Sequence, residues 1–423
     1  MKRSATKKIA AMSLLATALA GTVFAAEGPI PQGIPRLNHV YVIMMENHGY
    51  GQILNNPNAP FANQLAHAAN LATNYFAIAH PSLTNYLEVV GGSNFGVLND
   101  NNPAWHSMSC TTNLASGIAS TDNPATPSGI CPIAGMGTEA ATPALDVTNE
   151  TQGLPGAVNI DGVQFIAAAN NIVGKTIADQ LAARGRRWKS YQESLPMHGA
   201  DRVDFSDGVY DNNTDFSAIH PTLNPALSSS GIVALYAAKH NPFVYFRSTQ
   251  EGQNPNNGPA NSVDFEGQHG LFADLQTLDM PAFSFIAPNQ CNDQHGRGNA
   301  GPFCNYDPTD NGTQAGLNPA LIYRGDVEVQ KLVTAIKQSP SWNLGKNAIV
   351  VVWDENDYST APNTNQVMLI VDTNYGVGGR QSANRYTHYS LLKTLEAGFG
   401  LPCLNHACDA NVAVMGDLFG GAQ

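Results

Sequence analysis

A run of apolar residues that stops at a group of polar ones constrains this chain most. Val40 to Met45 has the length of a β-strand, and its lack of alternation predicts a strand buried on both faces, as in parallel sheets. Glu46, Asn47 and His48 follow directly. Open α/β sheets bind ligands at the carboxyl ends of their strands. The pattern predicts functional groups at this edge, although taken alone it also fits a polar loop after a core strand.

Two later apolar segments repeat this pattern. They are Pro281–Ala287, which precedes Asp293 and His295, and Ala348–Trp353, which precedes Asp354 and Glu355. Asp293 and His295 are two residues apart, so in an extended chain they would face the same side. Adjacent carboxylates repel one another unless protons or a cation neutralise them. Three buried strands are therefore predicted to end in carboxylate, amide or imidazole groups.

A serine and a histidine each stand at the start of a predicted helix. Ser82 lies in the turn that begins at His80, and His388 precedes the helix predicted over Leu391–Phe399. Backbone N–H groups and the helix dipole favour an anion at such a position. Serine is also a frequent helix cap, and a nucleophile at a helix start caps the helix as well. For His388 the alternative is a structural histidine without a chemical role.

Strands that alternate with helices predict an α/β fold, a three-layer α/β/α sandwich with a mostly parallel central sheet. We predict further helices and strands from apolar spacing. The helices are Pro60–Leu71, Thr176–Arg187, Leu271–Leu278 and Asp326–Gln338, and the strands are Thr73–Ala79, Trp188–Tyr191, Phe243–Arg247 and Gln366–Val371. We expect one catalytic domain over residues 27–423, in which residues 93–160, rich in Asn, Thr, Pro, Ala and Gly, form an irregular insertion.

The first 26 residues have the pattern of a secretory signal peptide. A basic start precedes the apolar segment from Ile9 to Val23, and small residues follow. A membrane anchor is the alternative, but the segment is short for a span. Removing it leaves 17 Lys and Arg against 33 Asp and Glu, a net charge of −16. This charge disfavours nucleic acid and anionic membrane surfaces as partners. From the signal-peptide pattern we expect a secreted or periplasmic protein without stable membrane insertion.

The six cysteines fall into three close pairs. The pairs are Cys110 with Cys131, Cys291 with Cys304, and Cys403 with Cys408. In an oxidising compartment local disulfides are the simplest interpretation, although six cysteines allow 15 pairings. A zinc site is the alternative, but the sequence has no Cys-x-x-Cys pair.

The predicted sheet would gather these polar groups at one edge. The groups are Glu46, Asn47, Ser82, Asp293, His295, Asp354, Glu355 and His388. Oxygen and imidazole ligands beside a hydroxyl suit one or two divalent metal ions of unknown identity. A metal would lower the pKa of the Ser82 hydroxyl and neutralise phosphoryl oxygens. The pattern therefore predicts phosphoryl transfer.

Ordered blocks over residues 37–420 carry a family resemblance. They are VIMMENH, HPSLTNYLEVVGG, TIADQLAARGRRWKSYQE, HNPFVYF, SFIAPNQCNDQHG, AIVVVWDEND and HYSLLKTLEAGFGLP. Together they resemble the phosphoesterase family that includes bacterial acid phosphatases and phosphatidylcholine-type phospholipases C, within the alkaline phosphatase superfamily. The resemblance implies an alkaline phosphatase-like fold.

The resemblance also implies a role for each matching position. The implied metal ligands are Glu46, Asn47, Ser82, Asp293, Asp354 and Glu355. The implied catalytic groups are the nucleophile Ser82, the amide of Asn85 that holds the phosphoryl group, and His295 and His388 as further ligands or phosphate contacts. The family commonly has Pro at the position of Thr84. Thr84 is a rival nucleophile, but the spacing to Asn85 favours Ser82.

The function expected from this resemblance is hydrolysis of small phosphate monoesters at acidic pH through a phosphoserine intermediate. A second metal, His295 or His388 would assist the departing ester oxygen. Two alternatives stay open. One is a phospholipase C or phosphodiesterase that acts on lipid headgroups, and the other is a catalytically silent protein that binds phosphate esters.

Overall fold

The computed structural model of this protein describes residues 27–95, 97, 100, 112–113, 118–119, 172, 174–195, 235–250, 254–297, 304–309, 311–357 and 364–420. The predicted signal peptide, the cysteine pair Cys110 and Cys131 and most of the predicted insertion over residues 93–160 lie outside the described residues.

Eight of the described strands form one central sheet. In chain order the strands are β1 (His39–Met45), β2 (Asn70–Ala72), β3 (Tyr75–Phe76), β4 (Thr112–Asn113), β5 (Ile118–Ala119), β6 (Trp188–Gln192), β7 (Ser262–Val263), β8 (Phe283–Ala287), β9 (Asn347–Trp353), β10 (Leu369–Thr373), β11 (Gln381–Ser382) and β12 (Tyr386–Thr387). The sheet order is β11-β2-β10-β9-β1-β8-β6-β7. Within this described sheet only β10 runs antiparallel to its neighbours. Two short pairs, β3 with β12 and β4 with β5, stand apart.

Four of the described helices pack in two pairs. The described helices are α1 (Tyr50–Ile53), α2 (Pro60–Ala68), α3 (Ser82–Gly91), α4 (Ile177–Ala183), α5 (Arg247–Gln250), α6 (Leu271–Asp274), α7 (Pro319–Gln338) and α8 (His388–Phe399). Helix α3 packs on α8, and α2 packs on α7. Because β1 and β9 are buried on both faces, helices must cover both sides of the sheet. The predicted three-layer α/β/α fold is confirmed. No described helix has the length and apolarity needed to cross a bilayer.

The central strands end at the same level of the sheet. Met45 of β1 pairs with Trp353 of β9, and the backbone N–H of Asp354 then donates to the Met45 carbonyl at 2.9 Å. On the other side, the N–H of Glu46 donates to the carbonyl of Asp293 at 2.8 Å. The residues after β1, β8 and β9 therefore meet at one edge, as the sequence predicts.

Several predicted elements differ in type or length. Helix α2 ends at Ala68, because the chain turns into β2 two residues later. The strand predicted over Thr73–Ala79 is reduced to β3, because the N–H groups of Ile78 and Ala79 bond to the Asn85 side chain instead of to a neighbouring strand. The predicted strand Gln366–Val371 is present as β10, shifted towards its carboxyl end.

The predicted strand Phe243–Arg247 is wrong. Residues Pro242–Tyr245 form a 3-10 helix, with the proline in its first turn, where the missing N–H costs no hydrogen bond. The apolar side chains pack in the core, where the ring centroids of Phe243 and Trp188 lie 4.5 Å apart. Burial alone produces such an apolar run, so the run could not distinguish a strand from a helix.

Two of the three predicted disulfides are present. Cys291 is joined to Cys304, and Cys403 to Cys408. The first of them closes the loop that follows β8 and carries Asp293 and His295. A short covalent loop restricts the unfolded chain and so favours the folded loop.

The partly buried carboxyl group of Glu193 supports the same loop. The Oε2 atom of Glu193 accepts from the backbone N–H of Asn289 at 2.9 Å, and the Asn292 side chain donates to both of its oxygens. Burial, and then the charge of Glu328, raise the pKa of Glu193 to about 7. The folded protein therefore holds a proton at Glu193 more tightly than the unfolded chain does.

We predict that Glu193→Gln flattens the pH dependence of stability. Because the folded pKa of Glu193 lies above the unfolded value, wild-type stability falls as pH rises from about 4.5 to about 7. At pH 8 the variant should be more stable by about 1–3 kcal/mol, and the difference should vanish near pH 4.5. Urea unfolding at both pH values measures this.

Asp279→Asn is the control, because the Asp279 side chain is exposed. Its stability should follow the wild-type pH profile. Equal pH profiles for Glu193→Gln and wild type would contradict the assignment.

Candidate active site

The hydroxyl of Ser82 lies between two buried carboxylates. Ser82 begins α3, and its Oγ atom is 3.1 Å from Oε2 of Glu46 and 3.2 Å from Oε1 of Glu355. All three side chains are buried. One hydroxyl proton thus faces two acceptors, one after β1 and the other after β9. The structure brings together the serine and the carboxylates that the sequence assigned to one site.

Glu355 is held in place by two further side chains. Its Oε2 atom accepts from the Asn85 amide at 3.0 Å, and Nδ1 of His80 lies 2.8 Å from the same oxygen. The second amide hydrogen of Asn85 goes to the carbonyl of Ala79 at 2.8 Å. Both amide hydrogens of Asn85 therefore hold protein groups around Ser82 in this structure.

Asp354 and His388 are joined through the backbone. The Nε2 atom of His388 lies 2.6 Å from the carbonyl oxygen of Asp354, and Nδ1 lies 2.8 Å from the hydroxyl of Tyr75. Burial lowers the pKa of His388 to about 4, so the ring is neutral, donates from Nε2 and accepts at Nδ1. The Asp354 side chain accepts from the backbone N–H of Asn47 at 3.0 Å. His388 thus positions the Asp354 segment.

Asp293 and His295 do not lie in extended chain, contrary to expectation. Residues 291–294 form turns, and the Asp293 carboxylate accepts from the backbone N–H of His295 at 2.7 Å. Asp293 Oδ2 lies 3.2 Å from His240 Nδ1, and His295 Nε2 lies 3.2 Å from Lys239 Nζ. The two side chains therefore meet different partners.

Two residues of this site, His240 and Lys239, were not identified from the sequence. The His240 ring lies between two carboxylates, with Nε2 3.1 Å from Glu46 Oε1 and Nδ1 facing Asp293. It stacks on Tyr86 with the ring centroids 5.3 Å apart. The block HNPFVYF contains this histidine, and a polar pair before a proline and a buried apolar run was the available signal. For Lys239 no local signal exists.

Thr84 does not face the carboxylates. Its hydroxyl donates to the carbonyl of Pro81 at 2.6 Å, within the first turn of α3. This contact holds the first turn of α3. Of the two hydroxyls, that of Ser82 is the one that contacts Glu46 and Glu355.

The site concentrates acidic side chains away from water. Burial raises the pKa of Glu46, Asp293 and Asp354 well above the usual range, and the charge of Asp354 adds to the effect at Glu46. One oxygen of each, Glu46 Oε1, Asp293 Oδ2 and Asp354 Oδ2, is buried without a well-aligned hydrogen bond among the described residues. Buried carboxylate oxygens of this kind cost free energy unless a proton or a cation compensates them.

Carboxylate oxygens of this kind fit a divalent cation by their chemistry, because hard cations prefer carboxylate and amide oxygens. In the described part of the chain, no three or more His, Cys, Asp and Glu side chains form a ready metal-binding group. The fit of a divalent cation to this site therefore rests on the carboxylate oxygens around Ser82.

Comparisons with known proteins give relatives over most of the chain. The model of the Phosphoesterase family matches residues 52–302. An acid phosphatase of Aspergillus fumigatus is 22% identical over 89% of this chain, and a phosphatidylinositol-3-phosphatase of Mycobacterium tuberculosis is 24% identical over 97% of it. The chain spans 58% of the length of the fungal protein and 95% of the length of the mycobacterial one.

Solved structures with a similar course of the chain have low identity. A protein in the alkaline phosphatase superfamily from Vibrio parahaemolyticus aligns with a TM-score of 0.43 and 10% identity. The alignment covers 90% of this chain and 72% of that chain.

We predict that Asn85→Ala destabilises the protein by about 2–4 kcal/mol, because the buried N–H groups of Ile78 and Ala79 would lose their acceptor. Urea unfolding measures the change. Asn305→Ala is the matched control: Asn305 is exposed, so its loss should change stability by less than about 0.5 kcal/mol. A similarly small effect at Asn85 would leave its amide available for a role other than support.

Proposed function

Because this chain belongs to the phosphoesterase family, whose model matches more than half of its length, we propose that it hydrolyses phosphate monoesters through a phosphoserine intermediate on Ser82. The observation that carries the proposal is the Ser82 hydroxyl, which lies at a helix start within 3.2 Å of two buried carboxylates. The acid phosphatases among its relatives support a phosphate monoester as the substrate.

The first chemical step transfers the phosphoryl group to Ser82. Oγ attacks phosphorus, and its proton passes to Glu46 Oε2 or Glu355 Oε1 as the bond to the ester oxygen breaks. Asn85 and His80 hold the other oxygen of Glu355, so this carboxylate keeps its orientation during the transfer. The positive end of the α3 dipole faces the transferred group. The departing ester oxygen takes up a proton and leaves as the alcohol. Water then attacks the phosphoserine, inorganic phosphate is released, and a proton returns to Oγ of Ser82.

A divalent cation completes the proposed site. Glu46, Asn47, Asp354 and Glu355 would hold it together with Ser82, and Asp293 would contribute a further oxygen. When bound, it would lower the pKa of the Ser82 hydroxyl and neutralise charge on the phosphoryl oxygens. In the proposal, the residues of the chain position the nucleophile, while His388 keeps the Asp354 segment in place.

The substrate class has one specific alternative within the same chemistry. The Mycobacterium tuberculosis relative spans nearly the whole chain and is named a phosphatidylinositol-3-phosphatase. A phosphomonoester on a lipid headgroup is therefore a second candidate substrate. A phosphodiester, which a phospholipase C-like enzyme would cleave, is the third candidate substrate. The alternative without catalysis is a silent protein that binds phosphate esters. The two disulfides and the basic, apolar N-terminus support secretion or a periplasmic location.

We predict that Ser82→Ala lowers kcat/KM for an aryl phosphomonoester at least about 1,000-fold, because the nucleophile is lost. The wild type should trap labelled phosphate on Ser82 when the reaction is quenched in acid. Thr84→Val is the matched control, since its hydroxyl bonds to Pro81, and it should retain activity within about tenfold.

The same assay with the matching diester and a phosphoinositide chooses among the substrate classes. Preference for the diester would move the function to the phospholipase C class. Label on a residue other than Ser82 would reject the nucleophile, and an inactive wild type with divalent metals supplied would favour the binding protein.

We predict that chelation lowers phosphomonoesterase activity at least about 100-fold and that one divalent metal restores it, because the buried carboxylates need a compensating cation. Elemental analysis of the purified protein should find the metal. Asp354→Asn should weaken metal retention, whereas Asp279→Asn should not. Full turnover by protein that elemental analysis shows to be metal-free would rule the cation out of the mechanism.

A further inference from the structure

A fully buried lysine lies inside the candidate site. Lys239 has 0% relative exposure, and among the described Lys and Arg residues it is the only one that is buried. Charged side chains are almost never fully buried without partners, since burying an unpaired ammonium group costs much free energy. Its Nζ atom lies 3.2 Å from Asp100 Oδ2 and 3.2 Å from His295 Nε2. Both partners are buried.

Asp100 links this ammonium group to the helix that begins at Ser82. While Oδ2 faces Lys239, Oδ1 accepts from the backbone N–H of Leu83 at 3.0 Å. The carboxylate therefore fixes the lysine relative to the residue that follows the proposed nucleophile. If Asp100 and Lys239 only neutralised each other, the contact of Asp100 with Leu83 would not be needed.

His295 fixes the ammonium group from the other side. Its Nδ1 atom lies 2.9 Å from the carbonyl oxygen of Gly296, which requires a hydrogen on Nδ1. A lysine ammonium group can only donate, so Nε2 of His295 is the acceptor of this contact. This contact occupies the lone pair that a metal would need, so His295 acts here as a support for Lys239 and not as a metal ligand.

The charge of the site gives this lysine a function. Three buried carboxylates, Glu46, Asp293 and Asp354, lie within the field of the Lys239 ammonium. A phosphomonoester dianion that approaches Ser82 meets these carboxylates, so a cation is needed beside them. A buried, fixed ammonium group stabilises transferred negative charge without reorganising water.

We propose that Lys239 is a catalytic residue whose ammonium group contacts a non-bridging oxygen of the phosphoryl group as it moves to and from Ser82. This inference rests on the proposed phosphatase function. The positive charge favours the monoester dianion over the singly charged diester, because the attraction grows with the charge of the ligand. Lys239 therefore also contributes to substrate choice.

The test compares Lys239→Met with a double variant that combines Lys239→Met and Asp100→Asn. The single variant leaves Asp100 buried without its cation and is at risk of misfolding. The double variant removes both charges, and the amide oxygen introduced at position 100 can still accept from Leu83. Lys189→Met is the control. Lys189 lies in β6, and its ammonium group contacts Asp274 and the carbonyl of His269. Thermal unfolding establishes that each protein is folded.

In the folded double variant, kcat/KM for the aryl phosphomonoester should fall at least about 100-fold, whereas kcat/KM for the matching diester should fall less than about tenfold. Inhibition by inorganic phosphate should weaken in parallel, and Lys189→Met should match the wild type. Monoester activity near the wild-type level in the folded double variant would overturn the proposal, because Lys239 would then serve only to neutralise Asp100. Equal losses on both esters would also overturn it, because the charge of Lys239 would then not distinguish the dianion from the singly charged diester. Failure of the proposed function would instead appear as a wild type that is inactive on both esters.

Discussion

The hydrogen bonds that align the carboxyl ends of β1, β8 and β9 are the constraint on which the site depends. Met45 pairs with Trp353, and the backbone of Glu46 then bonds to the loop that carries Asp293. A shift by one residue would turn every side chain to the opposite face of its strand. The buried apolar faces forbid that shift, so packing energy in the core fixes the carboxylates around Ser82. The disulfide at Cys291 adds a covalent limit on one of the three loops.

Packing of this kind places like charges where water cannot separate them. The cost appears in the raised pKa values of Glu46, Asp293 and Asp354. Proteins keep such arrangements at functional sites, where a ligand or an internal cation compensates them. The Lys239 side chain lies beside these groups, and its contacts with Asp100 and His295 hold it in one position, unlike a surface lysine.

Local sequence predicted the parts of the fold that depend on local causes. Continuous apolar runs identified β1, β8 and β9, and a polar turn before an apolar helix identified Ser82. The sequence could not show that Pro242–Tyr245 is helical, because burial from every side removes the periodic signal. Nor could it reveal Lys239, whose burial depends on partners that are distant in the chain. The support that Asn85 gives to the β3 segment likewise arises only in three dimensions.

The pairing of β1 with β9 has a consequence for the order of events as the chain is made. His39 and Asn347 are 308 residues apart, yet they begin neighbouring strands at the centre of the sheet. A polypeptide that emerges from its amino end therefore cannot complete this sheet until most of the chain exists. Such long-range pairing slows folding, so the completed chain stays unfolded for longer than a chain of the same length that is built from local contacts.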